Sequence, residues 1–190
     1  MNAAVPPTPE PAARRSLRAR LAGGPFARRL ALLDVRLYRL VRSRGRMPAL
    51  RAAVRRFSRT GEHAAIWLAI GGAGAALDRP RRARWLRAAA AVLVTYLFNT
   101  LIKNVVRRKR PLLEDLPQLI ATPTQLSFPS AHASSSFAAV SAYRGLLPGR
   151  PLLAVAAVMG WSRVYLGVHY PSDIAAGALL GTLIGRLGRR

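Results

Sequence analysis

Three short motifs set ionisable side chains inside otherwise apolar sequence: Lys103-x6-Arg110-Pro111, Pro129-Ser130-Ala131-His132 and Ser162-Arg163-x5-His169-x3-Asp173. Together they supply three cations, two of the chain's three histidines and one carboxylate. Ionisable groups near lipid are costly and point to function by default. The set suits phosphoryl transfer through a histidine: cations hold phosphate oxygens, one imidazole attacks, a second moves a proton, and a carboxylate orients the nucleophile.

The local sequence says how each group is held. Pro171 suits the first position of a helix, which sets His169 just before that helix and Asp173 in its first turn. A carboxylate accepting from one ring nitrogen fixes the tautomer and frees the other nitrogen. Arg163 can clamp phosphate oxygens with its planar fork. Ser130 reads as an N-cap, and a helix start offers an anion free N–H groups and the positive end of the dipole. His132 follows in the first turn. Lys103, between Asn99 and Asn104, is seven residues from Arg110, about 10.5 Å of helical rise, so both are expected on one helix face. Arg107, Arg108 and Lys109 read as an ordinary juxtamembrane cluster outside the chemistry. Each motif alone has a structural explanation; the three in order do not.

The bulk numbers agree with a membrane setting. The 190 residues are 51% hydrophobic, yet the net charge is +24, which suits apolar spans with basic flanks rather than a soluble globule. The positive charge alternates with apolar stretches and no nucleic-acid motif occurs, so no nucleic-acid partner is expected. Without cysteine there is neither a disulfide framework nor a thiolate metal site. No secretory signal pattern opens the chain.

The positioning elements follow from periodicity. Residues 1–27 are expected to be disordered. In 28–59, Leu30, Leu33, Leu37, Leu40 and Val41, then Leu50, Ala53, Val54 and Phe57, recur at helical spacing among arginines. They read as two basic amphipathic helices on an anionic membrane surface, or else as a pair packed on the main body. Residues 60–190 form the embedded domain, with apolar segments at roughly 62–78, 85–106, 131–147, 152–168 and 173–187. The expected fold class is an all-α polytopic membrane bundle of about five transmembrane helices. Gly177-x3-Gly181-x3-Gly185 would let two helices approach closely. Five spans put the 107–130 loop and the 169–171 turn on the side of the arm. The arm's 15 arginines would assign that side, in a plasma membrane, to the cytoplasm.

In order and spacing, the motifs resemble the signature of the type 2 phosphatidic acid phosphatase superfamily, which includes vanadium haloperoxidases. The resemblance covers roughly 60–187. More narrowly, Gly61-Glu62-His63, Leu101-Ile102-Lys103, the run from Thr122 to His132 and the run from Leu166 to Asp173 look like members that act on a polyprenyl-linked phosphoribose. The resemblance implies an integral membrane lipid phosphatase using no metal or cofactor. In it His169 would form a phosphohistidine, Asp173 would polarise His169, and His132 would protonate the leaving alkoxide and then activate water. Lys103, Arg110, Arg163, Ser130 and the backbone at Ala131 would hold the phosphate, with Glu62 and His63 as candidate head-group contacts. Two departures stand out: Ala131 replaces the usual glycine, and five spans replace six core helices unless an arm helix supplies the sixth. Phosphatidate, phosphatidylglycerophosphate and undecaprenyl diphosphate are alternative substrates. Rival classes are a vanadate-dependent haloperoxidase, disfavoured by the short apolar spans, and a non-catalytic protein binding anionic lipid through residues 14–59.

Overall fold

The computed structural model describes residues 24–43 and 47–189. The expected disorder of 1–27 therefore lies outside the described residues up to position 23. Among those described the named elements are all helices: α1 (Pro25–Ser43), α2 (Pro48–Thr60), α3 (Ala65–Leu77), α4 (Arg82–Val106), α5 (Ala131–Ala142), α6 (Gly149–Tyr165) and α7 (Pro171–Leu187). Short 3-10 turns at Glu62–Ala64 and Arg79–Arg81 lead into α3 and α4.

Two helices, α3 and α5, are shorter than the segments expected over 62–78 and 131–147. Among the described residues only Arg79–Val106 is long and apolar enough to cross a membrane: it has 28 residues, and an 18-residue stretch of it reaches a mean hydropathy of 1.5. The segment expected over 131–147 leaves the helix after Ala142, and Gly145, at φ 82°, turns the chain ahead of Pro148. α3 spans 13 residues, about 20 Å of rise.

α5 lies at the centre against α7, and the glycine stripe explains how closely. A Cβ at Gly177 would come within 2.7 Å of the Ser130 carbonyl oxygen. One at Gly181 would run into the carbonyl of Ser134, and one at Gly185 into that of Ala138. The two backbones thus meet directly, as small residues at four-residue spacing permit. The interior around α5 is small and polar. Ser134, Ser135 and Ser136 are buried, and Asn99 of α4 donates to Ser134 Oγ at 2.9 Å and to the Pro129 carbonyl at 3.3 Å. Trp67 Nε1 donates to Ser136 Oγ at 3.0 Å. These partners satisfy polar groups that would otherwise be costly to bury. The outer faces carry the large apolar residues: Leu93, Leu97 and Leu101 on α4, Leu153 and Val158 on α6, Leu179 and Leu183 on α7.

The two arm helices, alike in sequence pattern, differ in how they pack. α2 turns its apolar side inward, with Val54 buried beside Tyr165, Leu166 and Val168. α1 does the reverse. Asp34, Tyr38 and Arg42, four residues apart and so on one face, are buried, while Leu30, Leu33, Leu37 and Leu40 are exposed. Arg42 explains part of this inversion. It donates to the carbonyls of Tyr165 at 3.0 Å and Pro117 at 2.5 Å, fastening α1 to the loop before α5 and the end of α6.

Candidate functional site

The residues singled out by spacing converge. Lys103, Arg110, Ala131, His132, Arg163 and His169 line one cavity of about 280 Å³, whose mouth is formed by Glu62, His63, Tyr96 and Thr122–Thr124. Ser130 and Asp173 stand behind this lining, both fully buried.

Lys103 and Arg110 reach the cavity by a route other than the one expected. They do not share a helix face, because α4 ends at Val106 and Arg107 takes a left-handed conformation at φ 53°. The chain then runs extended, and the backbone N–H of Arg110 pairs with the Gln125 carbonyl at 3.0 Å. Folding back in this way brings Arg110 over the site. Its Nε donates to the Thr124 carbonyl at 2.9 Å and one terminal nitrogen to the Val168 carbonyl at 2.6 Å. Lys103 Nζ donates to the Leu126 carbonyl at 3.3 Å. Burial lowers the Arg110 pKa to about 10, which leaves it cationic at neutral pH.

Ser130 caps α5: its side chain accepts from the Ala133 N–H at 3.5 Å. The N–H groups of Ala131 and His132 are first-turn donors without intrahelical partners, and both residues face the cavity. Such a terminus is suited to an anion. His132 Nε2 lies 3.1 Å from the Ser58 carbonyl, so that nitrogen carries a proton in this geometry. Arg163 donates to Ser58 Oγ at 2.6 Å, and its buried Nε has no partner among the described residues. A buried guanidinium with a spare donor fits a phosphate oxygen.

His169 is 2% exposed and Asp173 is fully buried. Pro171 opens α7, as its sequence position predicts, and Asp173 Oδ2 accepts from the Tyr170 N–H at 2.8 Å. His169 Nδ1 is 3.6 Å from the same oxygen, beyond hydrogen-bond length. Burial first, then the positive charges of Arg110, Arg163 and Lys103, hold the His169 pKa well below the ordinary imidazole value. The ring is therefore neutral at pH 7.

Glu62 and His63 sit at the mouth, and His63 Nδ1 is 2.8 Å from the Tyr96 hydroxyl. His63 and Ala64 are both left-handed, at φ 52° and 60°. Non-glycine residues held there mark a constrained corner, and the neighbouring Gly61 explains why it is tight: a Cβ on it would lie 2.9 Å from the His132 ring.

Three contributors were missed. Ser58 of α2, which no sequence pattern singles out, meets both His132 and Arg163. Arg108, read as part of a stop-transfer cluster, is half-buried and bonds Asp173 Oδ1 at 2.8 Å and Asp34 Oδ2 at 2.8 Å. The correction has a plain cause: the left-handed turn at Arg107 swings Arg108 away from the helix end. Asp34 did leave a signal, being the only acidic residue between 28 and 59.

A family model described as the PAP2 superfamily matches residues 84–190. The chain is 43% identical over 141 residues to decaprenylphosphoryl-5-phosphoribose phosphatase of Mycobacterium tuberculosis, covering 74% of this chain and 79% of that protein. It is 40% identical over 132 residues to the protein of the same name from Mycolicibacterium smegmatis, covering 68% and 72%. Its fold is similar to the crystal structure of a transmembrane PAP2 type phosphatidylglycerolphosphate phosphatase from Bacillus subtilis. That match has a TM-score of 0.72 at 22% identity and covers 93% of this chain and 91% of the other.

Proposed function

The chain belongs to the PAP2 superfamily, and on that premise we propose that it is a membrane lipid phosphatase that hydrolyses the terminal phosphate monoester of decaprenylphosphoryl-5-phosphoribose. The single observation that carries the reaction class is the convergence of Lys103, Arg110, His132, Arg163 and His169 on one cavity. The substrate rests on the similarity to the two mycobacterial phosphatases of that name.

His169 Nε2 attacks phosphorus as the bond to the sugar oxygen breaks, giving a phosphohistidine and an alkoxide that takes a proton from His132, which enters the step as the imidazolium and leaves it neutral. His132 then accepts a proton from water, whose oxygen attacks the phosphohistidine. Free phosphate and neutral His169 result. Asp173 steadies the charge that grows on the attacking ring. Lys103, Arg110, Arg163 and the start of α5 meet the equatorial oxygens, where charge accumulates in the transition state. Glu62 and His63, beside Tyr96 at the mouth, contact the sugar.

A small polar interior and outward-facing leucines on α4, α6 and α7 support a bilayer setting for 60–190. The exposed leucines of α1, flanked by arginines, suit the interface of anionic lipid. With α1 against the loop end of the bundle, the positive-inside rule favours a cytoplasmic active site.

Phosphate release by purified protein in detergent, from a panel of the polyprenyl phosphoribose phosphate, phosphatidate, phosphatidylglycerophosphate and undecaprenyl diphosphate, tests the reading. The highest kcat/KM is expected for the first. Preference for another would reassign the head group, and no release from any would end the phosphatase reading.

A further inference from the structure

The mechanism above leaves a buried carboxylate and its half-buried cationic partner unused. Asp34 of the arm is 2% exposed, and Arg108 of the loop after α4 is its ion-pair partner. Arg108 uses both terminal nitrogens. One donates to Asp173 Oδ1 at 2.8 Å and to Ser172 Oγ at 2.7 Å; the other donates to Asp34 Oδ2 at 2.8 Å. Its guanidinium carbon lies 4.3 Å from the centre of the Tyr170 ring. Asp34 closes the circuit: its Oδ1 accepts from the Ser172 N–H at 2.8 Å and its Oδ2 from the Ser172 hydroxyl at 2.5 Å.

We propose that Asp34 and Arg108 are positioning residues that lock the Asp173 carboxylate for its work on His169, so that docking of α1 completes the active site. The inference rests on the phosphatase reading above. Three elements distant in sequence meet at the first turn of α7. Ser172 follows Pro171 there, so its N–H has no partner inside the helix. Asp34 caps it from α1, a role usually filled by the helix's own N-cap residue.

The geometry gives Asp173 no freedom. Arg108 holds Oδ1, and the Tyr170 N–H holds Oδ2, the oxygen facing His169. A carboxylate with no exposure needs a paired cation to remain charged, and Arg108 is that cation. Arg108 in turn is fixed by Asp34 and by stacking on Tyr170. The cavity that would hold phosphate is lined by other cations, Lys103, Arg110 and Arg163. Arg108 therefore acts through Asp173 rather than on the substrate.

Steady-state kinetics of the full chain in detergent, on the panel lipid turned over fastest, test this. Arg108→Met is expected to lower kcat by roughly 10–100-fold, the loss typical of a partner that orients a working group. KM should move little, because ground-state binding is untouched. Arg108→Lys should recover part of the loss. Asp34→Asn should lower kcat less than Arg108→Met, and the double variant should be no slower than Arg108→Met alone, as members of one unit behave. Arg39→Ala removes the exposed α1 pair with Asp115 without touching the clasp and should retain wild-type kcat. Wild-type kcat in Asp34→Asn and in whichever Arg108 variant folds, or a rise in KM alone, would overturn the proposal. Equal losses in Arg39→Ala would also overturn it, since any loosening of α1 would then suffice. A wild-type protein inactive on every lipid phosphate would instead defeat the phosphatase reading itself.

Discussion

A terminal nitrogen of Arg110 lies 3.2 Å from Nε2 of His169. A guanidinium has only donors, so Nε2 is the unprotonated nitrogen and the ring proton is on Nδ1, toward Asp173. This is the tautomer a nucleophile needs. Arg110 thus donates to the lone pair that phosphorus would take.

The neutral ring has a pH signature. Because burial and the surrounding cations lower the His169 pKa well below 6.5, kcat/KM should persist as pH falls through about 6.5 and decline only at the lowered value. Stability follows the same group. Unfolded His169 takes up its proton near pH 6.5, whereas the folded ring resists it to lower pH. Between those values the unfolded state holds more protons, so the contribution is complete above about 6.5 and is lost on acidification. Thermal unfolding at pH 7 and pH 5 should show a larger Tm drop in wild type than in His169→Gln. Equal drops would mean that the ring titrates normally when folded.

His132 as proton donor makes activity depend on the leaving group. His132→Ala should lose about 10²–10⁴ in kcat on a lipid phosphate, the usual contribution of a general acid. An aryl phosphate, whose phenolate needs no proton to leave, should lose far less in the first step. A loss independent of leaving group would remove His132 from that role.

The α5–α7 contact can be probed away from the site. Gly181→Ala places a methyl group against the Ser134 carbonyl and should destabilise by about 1–3 kcal/mol, the usual cost of overpacking. Gly72→Ala has open space around its Cβ and should be neutral or slightly stabilising, as helical Gly-to-Ala changes are. Melting curves of the two variants in one detergent decide this; the same Tm for both would argue against direct backbone contact.

The cavity lining sets three cations, Lys103, Arg110 and Arg163, against a single carboxylate, Glu62, a donor set poorly suited to hold a metal ion. Prolonged treatment with a strong chelator should leave phosphate release unchanged, while vanadate, which mimics five-coordinate phosphorus, should inhibit competitively. Inhibition by the chelator that a divalent ion reverses would contradict the metal-free mechanism.

The candidate site residues were legible because phosphoryl-transfer chemistry demands particular side chains at particular spacings. Pro171 places His169 and Asp173 about the start of α7, and Ser130 places His132 about the start of α5, by local rules alone. The stripe of Gly177, Gly181 and Gly185 could be seen but not aimed, since a small-residue pattern does not say which helix it meets. Arg108 was misread because one left-handed residue, Arg107, decides whether it extends a helix or leaves it. The inverted packing of α1 was hidden for a related reason. Periodicity separates leucines from polar residues but does not say that Asp34, Tyr38 and Arg42 form the inward face, because their partners come from residues 108–172.

Everything turns on His169 forming a bond to phosphorus. Rapid acid-free quenching of wild-type protein turning over a radiolabelled lipid phosphate should trap a base-stable, acid-labile label on the peptide containing His169, and His169→Gln should trap none. Undiminished turnover with no trapped label in wild type, or the same label in His169→Gln, would contradict the account.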